Sequence, residues 1–134
     1  MIGRRALLAA ALVLGATTNA LAQESPFVGE WTMTWDGPND RCPCKGTLTI
    51  RTDRSGNGHP LIGDWVGPGS VGTLRGTVNL NQNFWGGSFT MDDDGAAYPT
   101  KGFFRLELRG SNTLTGSYRR DGTTLSYSWS GKRE

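Results

Sequence analysis

The chain has 134 residues, of which 36% are hydrophobic and 20 are glycine, and its formal net charge at pH 7 is +2. Residues 1–22 contain Arg4 and Arg5 but no acidic residue, so the chain beyond residue 22 carries no formal net charge. This length fits one domain around one core. A neutral domain gives no electrostatic reason to expect a nucleic acid or an anionic membrane surface as its partner.

The N-terminal segment has the three parts of a secretory signal peptide. Arg4 and Arg5 precede an apolar run over residues 6–14, and Ala20-Leu21-Ala22 offers a small-residue cleavage site. The apolar run is too short to span a bilayer, so no transmembrane segment is predicted. We therefore predict cleavage near Ala22, a secreted or periplasmic location, a signal peptide over 1–22 and a single domain over 23–134.

Beyond residue 22 the apolar residues alternate with polar ones, and turn residues recur at short, even spacing. This pattern is typical of an all-β barrel or sandwich. Eight strands are predicted over residues 27–35, 46–52, 61–66, 71–80, 84–91, 102–109, 113–120 and 123–132. Their short connections favour an up-and-down meander, and closing the meander removes exposed strand edges. The predicted fold is an eight-stranded antiparallel up-and-down barrel.

Cys42 and Cys44 flank Pro43 between the first two predicted strands. An exported protein enters an oxidising compartment, where free thiols seldom persist. A turn around Pro43 could close a tight disulfide between the two cysteines, and a link to another chain is the alternative. The Cys-Pro-Cys segment lacks the helix N-terminus that usually lowers the pKa of a redox-active thiol.

A short unit, apolar-x-Gly-x-apolar, recurs along the chain and fixes which side chains face inward. Examples are Leu61-x-Gly63-x-Trp65 and Trp85-x-Gly87-x-Phe89. Residues two apart on a strand point to the same face. The side chains so predicted to face inward are those of Phe27, Trp31, Met33, Trp35, Leu48, Ile50, Leu61, Trp65, Leu74, Val78, Leu80, Trp85, Phe89, Met91, Phe104, Leu106, Leu108, Leu114, Tyr118, Leu125, Tyr127 and Trp129, together with Gly29.

The first strand resembles the Gly-x-Trp start of the calycin group, which comprises lipocalins and avidins. Gly29-x-Trp31 carries this resemblance, and the glycine-spaced aromatic strands are more similar to those of avidins. The resemblance implies a small barrel closed at one end by a late basic residue that packs over Trp31. Arg133 is the first choice for that residue and Lys132 the second. Met33 stands where avidins usually carry a biotin-contacting asparagine, so biotin binding is not expected.

Alternate connections of a meander lie at the same end of the barrel. The two longest, 36–45 and 92–100, therefore share one end, which is the predicted mouth. The predicted ligand-binding residues are the inward ones nearest that end: Trp35, Trp65, Met91, Phe104, Tyr118 and Tyr127. The opposite end is predicted to be plugged by Trp31, Leu80, Trp85, Leu108 and Trp129.

These features favour a secreted or periplasmic binding protein that holds a small apolar or aromatic ligand in the barrel mouth. The alternative is an interaction protein with a filled core, an envelope-associated partner or enzyme inhibitor that acts through loops 36–45 and 92–100. No enzyme, cofactor or metal site is predicted, because the single histidine, His59, lies in a turn and no nucleophile motif is present. The sequence leaves open whether the interior holds a cavity.

Overall fold

The computed structural model describes residues 24–35, 44–55 and 60–134. The predicted signal peptide, Cys42 and His59 lie outside the described residues. The proposed division at residue 22 and the pairing of the two cysteines therefore stay predictions.

Eight antiparallel strands in chain order form a closed barrel, which confirms the predicted fold. The strands are β1 (Gly29–Trp35), β2 (Cys44–Thr52), β3 (Leu61–Gly67), β4 (Ser70–Val78), β5 (Phe84–Asp93), β6 (Thr100–Arg109), β7 (Thr113–Arg120) and β8 (Tyr127–Arg133). Within the described ranges, no helix is long and apolar enough to cross a membrane.

The barrel closes where β1 pairs with β8 as well as with β2. Trp31 lies opposite Arg133 in this seam, and Trp35 lies opposite Trp129. The Glu134 backbone N–H donates to the Glu30 carbonyl at 3.0 Å. The first and last strands thus hydrogen-bond to each other, and neither leaves an open edge along this seam.

The inward side chains form one continuous core. Trp85 lies deep in it, with its ring 4.6 Å from that of Phe104 and 6.3 Å from that of Phe27. Burying one such side chain stabilises a fold by roughly 1.5–3 kcal/mol. The buried hydrophobic residues of the core are Phe27, Trp31, Met33, Leu48, Ile50, Leu61, Trp65, Leu74, Trp85, Phe89, Phe104, Leu106, Leu114 and Trp129.

Two residues predicted to face inward are exposed instead. Leu80 is fully exposed because β4 ends at Val78. The side-chain oxygen of Asn79 accepts the backbone N–H groups of Asn83 and Phe84, and this turn leaves Leu80 in solvent. Leu125 is exposed because β8 begins only at Tyr127, so residues 123–126 lie outside the sheet.

One end of the barrel, here called the closed end, is covered by Arg133. Its guanidinium lies 4.2 Å from the centre of the Trp31 ring. The same group donates to the carbonyl of Val28 at 2.9 Å, of Pro26 at 2.7 Å and of Ser111 at 3.0 Å. The Trp31 indole N–H is also satisfied, because it donates to the carbonyl of Phe27 at 2.9 Å. Lys132, the second choice from the sequence, is exposed on the outer surface.

Candidate functional site

A cavity of about 80 Å³ lies at the opposite end, here called the mouth. Inward-facing residues near the mouth-side ends of seven strands surround it. The residues that line it are Trp35, Trp65, Ser70, Phe89, Met91, Asp93, Thr100, Tyr118, Arg120 and Trp129.

Aromatic rings set at steep angles to one another form most of the cavity lining. The Trp65 ring lies 4.7 Å from that of Trp35 and 5.8 Å from that of Trp129, at 77° to each. The Tyr118 ring lies 5.8 Å from that of Trp129, also at 77°. Phe89 continues the series, 6.1 Å from Tyr118 at 83°. These edge-to-face pairs stabilise one another and hold the rings in fixed orientations.

Trp65 is held in place by a hydrogen bond and by two glycines. Its indole N–H donates to the Ser70 hydroxyl oxygen at 3.0 Å. A Cβ atom built on Gly67 would lie 2.8 Å from the Trp65 ring, and one built on Gly46 would clash with that ring. Side chains at these two positions would therefore displace the central ring of the cavity.

Polar side chains form the rim of the cavity. The Thr100 hydroxyl donates to a carboxylate oxygen of Asp93 at 3.1 Å. Asp93 ends β5 and Arg120 ends β7, and both side chains are half-buried. One strand, β6, lies between β5 and β7. The Arg120 guanidinium makes no hydrogen bond or ion pair with any residue in the described ranges.

The structure places four of the six predicted ligand-binding residues at the cavity: Trp35, Trp65, Met91 and Tyr118. Phe104 instead packs deeper, against Trp85. The Tyr127 ring lies beside that of Tyr118, 5.4 Å away at 31°, and does not line the cavity.

Trp129 was predicted to plug the closed end, and this prediction is wrong. The register pairs Trp129 with Trp35, the last residue of β1, and so places it at the mouth. The prediction began the last strand at residue 123, six residues before Trp129. The observed strand begins at Tyr127, only two residues before it.

Sequence reasoning missed the polar rim of Ser70, Asp93, Thr100 and Arg120. The predicted strands ended at residue 91 and began at residues 71 and 102, whereas the observed ones extend to Asp93 and begin at Ser70 and Thr100. Extending the alternation by one step beyond these predicted ends would have placed Ser70, Asp93 and Thr100 inward, and Arg120 already follows the inward phase of Tyr118 within its predicted strand. Cys44 begins β2 opposite Trp35, beside the site.

The size of the cavity limits what it can hold. It is about half of an engineered 150 Å³ cavity that admits benzene, and it is smaller than the usual pocket for a drug-sized ligand. Since it lies at the end of the barrel and not in its centre, only a compact group can enter while the rest of a molecule stays outside. The aromatic lining favours an apolar or cationic group, and the rim offers one carboxylate and one guanidinium.

Comparison with known proteins assigns no family, because no family model, curated protein or solved structure matches this chain. The barrel identifies the fold, and one fold hosts many functions. What the protein does must therefore be inferred from the mouth cavity and its side chains.

Proposed function

We propose that this protein is an exported binding protein that takes a compact apolar or aromatic group of a small ligand into the mouth cavity. The observation that supports this best is the cavity lining, in which three tryptophans, a tyrosine and a phenylalanine lie beneath a polar rim. Small-molecule sites commonly combine an aromatic lining with a few polar groups that orient the ligand. The proposed activity is binding and not catalysis.

The proposal includes membership of the calycin-like barrels. Two features support it: the Gly29-x-Trp31 start of β1, and the guanidinium of Arg133 over the Trp31 ring. In a barrel closed at one end, a ligand enters from the other, and the cavity lies at that other end. Biotin is not the expected ligand, because Met33 is fully buried in the core and is not part of the cavity lining.

The test uses the five tryptophans as reporters in one protein. We expect phenol, benzoate or benzylamine, titrated into ¹⁵N-labelled protein, to shift the indole N–H signals of Trp35, Trp65 and Trp129. The signals of Trp31 and Trp85 are the internal control, because both rings are fully buried outside the cavity lining. If neither these probes nor trimethylglycine moves the first three signals, or if all five signals move together, the proposed site is wrong.

A second candidate is the interaction protein that acts through the mouth loops. The observation that favours it is Tyr98, which is 83% exposed in the 94–99 connection between β5 and β6. Exposed aromatic side chains are common anchors of protein interfaces. Under this candidate, Tyr98→Ser would remove a specific co-purifying protein from the native envelope or secreted fraction, whereas Thr113→Ser at the closed end would not. An unchanged set of co-purifying proteins would speak against it.

A further inference from the structure

The angles between the mouth aromatics resemble those of a cage for a cation. The rings of Trp35 and Trp129 both stand at 77° to that of Trp65, and Tyr118 stands at 77° to Trp129. All four of these rings also line the mouth cavity. Since the face of an aromatic ring is electrostatically negative, such a space attracts a methylated ammonium group, which proteins commonly bind in aromatic cages.

The volume of the cavity agrees with such a group. At about 80 Å³ it has room for one compact group only. A trimethylammonium group and a benzene ring fill similar volumes, because the methyl hydrogens offset the smaller number of non-hydrogen atoms, so charge and not volume distinguishes the two. The positive charge of a trimethylammonium group is spread over its methyl groups, so it is desolvated more easily than a primary ammonium and suits an aromatic enclosure.

The rim carries one charge of each sign, and the two groups do not neutralise each other. Asp93 uses one carboxylate oxygen to accept the Thr100 hydroxyl, and Arg120 makes no ion pair in the described part of the chain. Their strands are two apart, about 9–10 Å at the usual strand spacing. A ligand with a single charge would be attracted to one of these groups and repelled by the other.

We propose that the mouth cavity recognises a compact zwitterion that carries a methylated ammonium group and a carboxylate. This inference rests on the proposed ligand-binding function. The ammonium group lies among the aromatic rings on the side of Asp93, and the carboxylate accepts hydrogen bonds from the Arg120 guanidinium. Arginine suits this role because its planar group donates two parallel hydrogen bonds to a carboxylate.

The test compares three probes in the same tryptophan-detected titration. Trimethylglycine carries both charges, 3,3-dimethylbutanoate has the same shape without the positive charge, and tetramethylammonium lacks the carboxylate. We expect trimethylglycine to bind at least about fivefold more tightly than either of the others, since a cation among aromatic rings and a charge-assisted hydrogen bond each contribute that much or more. Equal affinity for either single-feature probe overturns the proposal.

Adjacent residues on opposite faces of the same strands supply matched variants. We expect Arg120→Gln to weaken trimethylglycine binding by about tenfold. Arg119→Gln should leave binding unchanged, because Arg119 is exposed and lies 5.8 Å from the Phe103 ring on the outer surface. Asp93→Asn and the outward-facing Asp92→Asn form a second pair. Equal effects within either pair contradict the assigned roles.

The two proposals fail in different ways. If phenol or benzoate shifts the mouth tryptophans and trimethylglycine does not, the binding function stands and the zwitterion is excluded. If trimethylglycine, phenol, benzoate and benzylamine all leave these signals unmoved, both proposals are wrong. Urea unfolding of each variant checks that lost binding does not come from lost folding.

Discussion

Arg133 joins three segments of the chain at the closed end through one side chain. Its guanidinium bonds carbonyls of residues 26 and 28 before β1 and of residue 111 before β7, and it also packs on Trp31. Hydrogen bonds from a charged donor contribute more than neutral ones, and partial burial limits their screening by solvent. We therefore expect this residue to contribute to stability beyond its own strand.

Substituting Arg133 should lower the free energy of unfolding more than any change at its neighbour. We expect Arg133→Leu to cost about 2–4 kcal/mol, because it removes the charged hydrogen bonds and the contact with the Trp31 ring. Arg133→Lys should cost less, since it keeps the charge but not the planar donor. Urea unfolding followed by circular dichroism measures both.

Lys132→Leu is the control for this prediction. Lys132 is exposed and pairs with Thr32 and Thr113 across its two neighbouring strands, so its loss should change stability by no more than about 0.5 kcal/mol. If Lys132→Leu lowered the free energy of unfolding as much as Arg133→Leu, the contacts of Arg133 would not be what stabilises the closed end.

At the scale of the strand, two glycines let β4 and β5 approach closely. Gly76 lies opposite Gly87, and a Cβ atom on Gly87 would stand 2.6 Å from the Gly76 Cα and would clash with the Arg75 carbonyl oxygen. Backbone cannot move aside as the end of a flexible side chain can. The recurring glycine of the apolar-x-Gly-x-apolar unit therefore allows the tight curvature of a small closed barrel.

Neighbouring glycines on β5 provide a direct comparison. We expect Gly87→Ala to destabilise the barrel by about 1–3 kcal/mol through the clash with the β4 backbone. Gly86→Ala should cost less than about 1 kcal/mol, because the atom nearest to the new Cβ would be the Phe104 carbonyl oxygen, at 3.2 Å. The midpoints of urea unfolding decide the matter, and similar losses at both positions would refute the steric explanation.

Alternation in the sequence predicted the strands well but not their ends, and the site lies at the ends. Asp93 and Thr100 are polar residues beside turn residues, so the sequence favours placing them in a loop. Asp93 lies in β5 because it pairs with Ser70 of β4, and Thr100 lies in β6 because it pairs with Met91 of β5. This pairing depends on contacts between strands, which no local pattern records. The same limit explains the wrong placement of Trp129.

For the whole molecule, closure depends on contacts between the two ends of the chain. The Thr32 hydroxyl donates to a Glu134 carboxylate oxygen at 2.6 Å, and these residues are 102 positions apart. Such pairing forms only after a large loss of chain entropy, yet it removes both open edges of the sheet. We therefore expect the stability of the barrel to depend on the β1–β8 pairing and not on where the chain begins and ends.

A circular permutant tests this view. Joining Glu134 to residue 24 through a short Gly-Ser linker and opening the chain within the exposed 94–99 connection should preserve the barrel, with stability within about 2 kcal/mol. Deleting residues 131–134 instead removes three of the five seam pairs, Trp31 with Arg133, Thr32 with Lys132 and Met33 with Gly131. We expect this deletion to abolish cooperative unfolding. A permutant that fails to fold, or a deletion that folds normally, would contradict the prediction.

The packed interior beneath the mouth has a further consequence. Phe104, Leu106 and Trp85 are buried at the centre of the barrel, beneath the mouth cavity, so a long ligand would have to displace them to pass further inward. A molecule bound at the mouth would contact the cavity only with the group at its tip, and the rest of the molecule would stay in water. Compounds that share a tip but differ in their tails would then compete on nearly equal terms, and selectivity among them would have to come from elsewhere.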